Sequence, residues 1–258
     1  MTRIAFAGDR EISTRVLQYL VDAGCGPEVL MISAPSRASH ADELRTISGL
    51  ASESVLIGKE FQEGPGLAVL EQADLDYVIG VHFPYIVPSE VLAVPRVGVL
   101  NLHPGYLPYN RGWHTPSWAL LDGTPIGATL HFMDDGLDTG DVIAQEELTV
   151  RAEDTADTLY QRLLGLEFEL FEKAWPLIDT LSPPRMVQEG AGSSHKRSDL
   201  LSESVQRLDL DSERPVRDVL RQLRALTTNC PEEAAFFEVD GVRYRIQVSI
   251  TPDTRGEG

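Results

Sequence analysis

Short apolar runs alternate along the chain with segments whose apolar residues recur every three or four positions, the signature of strands interleaved with amphipathic helices. Arg3 to Gly8 (RIAFAG) reads as a strand, and Ser13 to Ala23 carries Val16, Leu17, Leu20 and Val21 at helical spacing. A second apolar run at Val29 to Ile32 completes a strand, helix, strand opening. Runs at Val55 to Ile57, Tyr77 to Val81 and Val97 to Leu102 predict further strands, with a helical patch at Leu67 to Gln72. The Val97 to Leu102 run is apolar on both parities, as a strand buried on two faces should be. A short helix is expected after Pro116, ending at Gly123, followed by strands at Ile126 to Phe132 and Val142 to Val150. The clearest helix comes next, with Ala156, Leu159, Leu163, Leu166, Leu170, Ala174 and Leu177 on one stripe. Asp154 or Thr155 is placed to cap it, and Pro176 to end or kink it.

This order predicts an α/β protein with a Rossmann-like doubly wound, mostly parallel sheet over residues 1–180. Beyond Thr180 the texture turns to Ser, Pro and Gly (LSPPRMVQEGAGSSHKRSD), which reads as a linker or long surface loop. A helix from about Arg214 to Leu226 and a hairpin follow, its strands Ala234 to Val239 and Arg243 to Ile250 joined through Asp240-Gly241. Residues 181–258 are therefore expected to form a linker and a small α+β appendage.

Composition narrows the partners. The 258 residues hold 40 acidic and 22 basic side chains, a net charge of -18, and only Lys59, Lys173 and Lys196 are lysines. Such a surface repels phosphate backbones, so nucleic acid is not expected as a partner. No apolar run reaches the ~20 residues of a membrane span, and MTRIAFAGDRE enters a strand without a signal-type core, so no membrane partner and a cytoplasmic location are expected. Cys25 and Cys230 are too few for a disulfide framework. Gly8 lacks the partners of a dinucleotide fingerprint, and no dinucleotide is expected.

The chemistry gathers between residues 101 and 141. Asn101 and His103 lie two apart at the end of a buried strand, on one face, followed by a Pro/Gly-rich loop. Open α/β sheets keep their ligands at such carboxyl ends. Asp138 follows in a tight Leu-Asp-Thr-Gly turn. An amide donor, an imidazole and a carboxylate, with no Ser or Cys nucleophile beside a base, suffice to move an acyl group without a covalent intermediate. A purely structural hydrogen bond between Asn101 and His103 remains open at this level. Asp138-Thr139-Gly140 also spells half of an aspartic protease, but the second lobe is missing. His131, Asp134 and Asp135 have metal-ligating side chains without a ligand motif, and no metal is expected.

Taken together, Asn101-Leu102-His103-Pro104, Leu107-Pro108, Gly112, Pro116, Gly127 to His131 and Gly136 to Gln145 resemble the formyltransferases that use N10-formyltetrahydrofolate. The resemblance covers roughly residues 1–180. It implies an enzyme with N10-formyltetrahydrofolate as formyl donor and a catalytic triad of Asn101, His103 and Asp138. It further implies a pterin pocket from Phe83, Tyr85 and Ile86 together with Asp134, Gly136, Leu137 and Gly140. Acceptor contacts are expected at Tyr109, Arg111, Trp113 and His114, with His131 as a further active-site histidine.

Within that superfamily HPGYLPYNRG, GLDTGDVIAQ and the short helix-and-hairpin tail look like the sugar-nucleotide N-formyltransferases. The expected acceptor is then the primary amine of an amino-deoxy sugar nucleotide. Trp113-His114-Thr115 departs from those enzymes and keeps hydroxyornithine or an amino-acid amine as the alternative. A methionyl-tRNA substrate fits the charge and the short tail less well. In the glycinamide ribonucleotide enzymes a Gly/Ser-rich loop holds phosphate where this chain reads Gly8-Asp9-Arg10-Glu11. The tail hairpin offers an edge strand for a homodimer.

Overall fold

The chain, described over residues 1–253 in a computed structural model, begins with β1 (Ile4–Gly8), α1 (Glu11–Asp22), β2 (Val29–Ile32), α2 (Ala41–Ser48), β3 (Val55–Ile57), α3 (Gly64–Gln72) and β4 (Tyr77–Val81). It continues with α4 (Ser89–Leu92), β5 (Gly98–His103), β6 (Arg111–Gly112), α5 (Thr115–Asp122), β7 (Gly127–Phe132), β8 (Val142–Glu147) and α6 (Ala156–Ile178). The last elements are β9 (Ser194–His195), α7 (Glu203–Gln206), α8 (Val216–Ala225), β10 (Ala235–Val239) and β11 (Val242–Ile246).

Seven strands form one sheet in the order β3-β2-β1-β4-β5-β7-β8. The first five run parallel, and β7 pairs antiparallel with β5. The order reverses at β1 and β4, the switch point of a doubly wound sheet. All residues of β1, β2 and β4 are buried, which explains their unbroken apolar runs.

Packing separates two compact units that interleave in sequence. The first holds residues 1–103, 128–146 and 165–189; the second holds 104–127, 147–164 and 190–258. A single cut at residue 180 therefore does not follow the packing. One core of the first unit joins Ala5, Met31, Leu56, Phe61, Leu70 and Val78 beneath the sheet. In the second, Ala119, Leu120, Ile126, Leu159, Leu163 and Ala225 form one cluster, and Trp118, Leu200, Leu226 and Ala235 another.

Local differences from the sequence pattern have physical causes. Helix α2 was not expected because its stripe holds only one buried residue, Leu44. Strand β8 stops at Glu147, since Leu148 N–H already turns to the Ile126 carbonyl. Pro176 lies inside α6, in its last turn, where it removes the N–H that would bond the Glu172 carbonyl, and the helix ends two residues later. Leu177 is exposed, and Phe171, Trp175 and Ile178 fill the face instead.

The segment expected as a linker or long surface loop is strapped down. Met186 and Val142 exchange both backbone hydrogen bonds, at 2.8 and 2.9 Å. Further on, Ser194–His195 pairs in parallel with Arg111–Gly112 as a two-stranded sheet of the second unit.

At the amino end of the sheet a buried carboxylate ties three strands. Asp76, 2% exposed, accepts Arg3 N–H at 2.8 Å and two Arg96 N–H groups at 2.7 and 3.0 Å. Burial pushes its pKa up, but the Arg3 N–H and the Arg96 guanidinium outweigh this and hold it below the usual value. Asp76→Ala should lower unfolding stability in urea by about 2–4 kcal/mol, because Arg3 N–H loses a buried partner.

Candidate active site

The antiparallel register of β5 and β7 sets Asn101 opposite His131. Directly opposed residues project to the same face, and here their side chains meet. Asn101 Nδ2 lies 3.2 Å from His131 Nε2 and donates to Asp138 Oδ1 at 3.4 Å. His103, two residues along β5, places Nδ1 3.6 Å from Asp138 Oδ2. The rings of His103 and His131 stand edge to face, 6.2 Å apart. Asn101, His103 and His131 thus converge on the Asp138 carboxylate, all four within the first unit.

The tautomer of His131 follows from its contacts. Nδ1 is 2.7 Å from the Phe132 carbonyl, an acceptor, so Nδ1 carries the proton. Nε2 then holds a lone pair and accepts from the Asn101 amide. The reverse orientation of the amide would set its oxygen against both that lone pair and the Asp138 carboxylate. Burial pushes the His131 pKa down to about 4, although the Asp138 carboxylate favours the charged ring. His131 is 0% exposed, with both ring nitrogens engaged. The further active-site histidine expected from the sequence thus holds the Asn101 amide.

A loop after β7 delivers Asp138, and its residues build the loop. Asp134 Oδ1 accepts Gly136 N–H at 3.0 Å and the Thr139 hydroxyl at 2.6 Å. A Cβ on Gly136 would come within 2.0 Å of Thr139 Oγ1, and one on Gly140 within 2.0 Å of the Phe132 carbonyl oxygen. Asp138 itself sits at φ +52°, a left-handed conformation that Asp tolerates better than most residues. Gln188, which sequence reasoning left in a linker, spans the loop: its Nε2 donates to the Asp138 and Gly140 carbonyls at 2.9 and 2.8 Å. A lone Gln in a Ser/Pro/Gly-rich stretch gave no signal of this.

The remaining expected pocket residues divide by exposure. Phe83 and Tyr85 are half-buried and pack with Phe61, at centroid distances of 5.4 and 6.3 Å, and Tyr85 Oη accepts Ala34 N–H at 3.1 Å. Both contribute to the core. Ile86 is 84% exposed and lines an open cavity of about 440 Å³ with Gln62, Leu67 and Pro88. Leu137 is also exposed.

Tyr109, Arg111, Trp113 and His114 belong to the second unit. Asn110 anchors their loop: fully buried, it donates from its side chain to Thr124 Oγ1 at 2.9 Å and from its backbone to Ser193 Oγ at 2.9 Å. Tyr109 and Trp113 are exposed, and the Arg197 guanidinium lies 5.4 Å over the Trp113 ring. His114 is largely buried with Nδ1 3.7 Å from Glu233, and burial lowers its pKa against the pull of that carboxylate. It is thus a packed residue more than a surface contact. Among the described residues no group of three or more His, Cys, Asp or Glu side chains is arranged to hold a metal ion, and no helix is long and apolar enough to cross a membrane.

A family model described as Formyl transferase matches residues 43–175, a span that contains all four converging side chains. The chain belongs to the formyl transferase family. A second model, the N-formyltransferase dimerization C-terminal domain, matches residues 202–252 of this formyltransferase. The dTDP-4-amino-4,6-dideoxyglucose formyltransferase of Mycobacterium tuberculosis is 31% identical over 189 residues, covering 73% of this chain and 78% of that protein. Methionyl-tRNA formyltransferases match as well. A 4-N formyltransferase from Francisella tularensis shares the fold, with a TM-score of 0.83, 22% identity, and coverage of 98% of this chain and 99% of that one. The formyltransferase PseJ from Anoxybacillus kamchatkensis is 27% identical, with a TM-score of 0.55 over 76% of this chain and 87% of its own. Its structure is a complex with UDP-4,6-dideoxy-4-formamido-L-AltNAc and tetrahydrofolate.

Two outcomes follow from this geometry. His131 is neutral when folded and takes up a proton near pH 6.5 when unfolded, so the unfolded state binds more protons between about pH 6.5 and 4. Stability should fall as pH drops through that window, on the order of a few kcal/mol, and His131→Gln should flatten this limb in thermal melts at graded pH. Gln188→Ala leaves two loop carbonyls without their donor and should cost about 1–3 kcal/mol in denaturant unfolding, with a fall in formyl-transfer kcat.

Proposed function

We propose that this formyltransferase moves the formyl group of N10-formyltetrahydrofolate to the primary amine of an amino-deoxy sugar nucleotide, by direct attack through a tetrahedral intermediate. The carrying observation is the convergence of Asn101, His103 and Asp138, with His131 holding the Asn101 amide. The formyl carbonyl of the donor is amide-like and unreactive, so its oxygen needs a donor as negative charge develops. Asn101 Nδ2 can supply it by releasing its long, 3.4 Å bond to Asp138, and one such donor is worth ~2.7–4 kcal/mol of barrier in comparable sites. Protonated His103 is the second donor. Asp138, directly or through a water, accepts the proton that the attacking amine must lose, a transfer worth ~10²–10⁴ in rate; as the tetrahedral intermediate collapses the bond to N10 breaks, and N10 takes the His103 proton to leave as tetrahydrofolate. No covalent acyl-enzyme is required. The pterin is assigned to Phe83, Tyr85 and Ile86 with the turn Asp134, Gly136, Leu137 and Gly140. The open cavity beside Ile86 supports that assignment.

Three facts support the sugar-nucleotide acceptor. The Mycobacterium tuberculosis relative is named for a dTDP-linked 4-amino-4,6-dideoxy sugar, and PseJ carries a UDP-linked formamido sugar beside tetrahydrofolate. The dimerization model of the N-formyltransferases covers the tail, and through it a homodimer is proposed. The net charge of -18 opposes tRNA, whose binding needs basic surface. Exposed Tyr109 and Trp113 and half-buried Arg111 are assigned to the acceptor, Arg111 to a phosphate and the aromatics to stacking.

Tetrahydrofolate release, followed by absorbance with a panel of UDP- and dTDP-linked amino-deoxy sugars, hydroxyornithine, amino acids and initiator methionyl-tRNA, identifies the acceptor. Turnover is expected with an amino sugar nucleotide; turnover with tRNA or hydroxyornithine alone would replace this reading. His103→Ala and Asp138→Ala should each lower kcat by ~10²-fold or more, and a loss under about tenfold would remove the roles given to them.

A further inference from the structure

At the opposite half of the same sheet lies a cavity of about 430 Å³, at the carboxyl ends of β2 and β3, lined among others by Ile32, Ser33, Ala38, His40, Arg45 and Ile57. Its volume falls in the ~300–1,000 Å³ range of small-ligand sites. Two buried polar atoms at this edge have no hydrogen-bond partner. Ser33, a wall residue, is 1% exposed and its hydroxyl is unpaired. Asp9, at the end of β1, is 0% exposed; its Oδ1 accepts the N–H of Ser39, another wall residue, at 2.9 Å, and its Oδ2 is unpaired. Leaving such a group unsatisfied costs about 1–3 kcal/mol, so the Ser33 hydroxyl is a group that a ligand's polar edge would repair.

We propose that this cavity is the nucleoside subsite of the acceptor, seating ribose and base while the amino sugar reaches Asn101 and Asp138. The inference rests on the sugar-nucleotide reading above. Strand order supports it: β2 and β5 are separated by β1 and β4, three strand spacings or about 14 Å. A lone sugar ring does not bridge that separation, whereas a diphosphate between sugar and nucleoside does. The path crosses the end of β1, where Arg10 is exposed and is the cation a diphosphate would meet. The cavity wall includes Asp42 and Glu43, exposed in the first turn of α2. Their carboxylates accept hydrogen bonds from ribose hydroxyls. Ile32, Ala38 and Ile57 give the base an apolar wall, and the Ser33 hydroxyl, donor and acceptor at once, suits the edge of a base or a ribose hydroxyl.

Equilibrium binding of UDP and dTDP to the intact protein, with inorganic pyrophosphate for comparison, tests the subsite. It is combined with formyl transfer to a nucleotide-linked amino-deoxy sugar and to the same amino sugar as its 1-phosphate. Ala38→Phe fills the cavity from a half-buried position outside the sheet, and Ser33→Ala removes only the unpaired hydroxyl. Ala38→Phe should weaken nucleoside diphosphate binding roughly tenfold or more and raise KM for the nucleotide-linked sugar in parallel. Ser33→Ala should weaken binding roughly fivefold. Both should leave turnover of the sugar 1-phosphate within about twofold of the parent. Nucleotide affinity unchanged in both variants, with the nucleotide sugar still the preferred acceptor, overturns the subsite and leaves the acceptor reading intact. A parent protein that formylates the sugar 1-phosphate but binds neither nucleotide overturns both.

Discussion

The backbone pairing of β5 with β7 puts Asn101 across from His131, and the chemistry of the site depends on that register. Side chains alternate along a strand, so a slip of one residue would turn Asn101 and His103 to the other face of the sheet together. Parallel pairing of β4 with β5 gives way at this point to antiparallel pairing of β5 with β7. It brings a residue from a later strand to the carboxyl end of β5, where His131 meets the Asn101 amide. A fully buried imidazole is costly to charge, and that cost fixes its state: it stays neutral and offers a lone pair that only the amide N–H can satisfy.

The second constraint is steric. Asp138 must turn back toward β5 within a few residues of β7, and Phe132 N–H closes that turn on the Asp141 carbonyl at 2.8 Å. Only glycine at 140 lets the returning chain pass the Phe132 carbonyl, and only glycine at 136 leaves room for Thr139 to bond Asp134. The Asp-Thr-Gly spelling therefore records backbone geometry as well as chemistry. Gln188 then holds two carbonyls of the turn from 50 and 48 residues further along the chain.

Much of this was legible in the residues, for reasons that also explain what was not. Strands β2, β3 and β4 fall at the predicted residues because they are buried on both faces and leave unbroken apolar runs. Asn101 and His103 were visible because a polar pair interrupts such a run at its end. Helix α2 was invisible because one leucine makes no stripe, and β6 and β9 because two-residue strands have no period. The role of Gln188 is a tertiary hydrogen bond from an irregular segment, and composition reports such segments only as loops. His131 was singled out from its resemblance to a family histidine, yet its burial depends on a neighbouring strand that no local pattern encodes. The interleaving of the two units is likewise a property of packing, since the cut passes through α6, a single continuous helix.

The state of His131 also decides how labour is divided in the proposed reaction. A neutral ring with its proton committed to the Phe132 carbonyl has none to give at Nε2, so it cannot serve as the acid of the transfer. What it does is hold one Asn101 N–H, leaving the other directed at the Asp138 side of the site. That remaining N–H is shared with a carboxylate at a distance long enough to be exchanged for a developing oxyanion. Proton traffic then falls to His103 and Asp138, whose nearest atoms stand 3.6 Å apart. Asn101 is thereby left to charge stabilisation alone, and the buried histidine, which gives no proton, keeps it aimed.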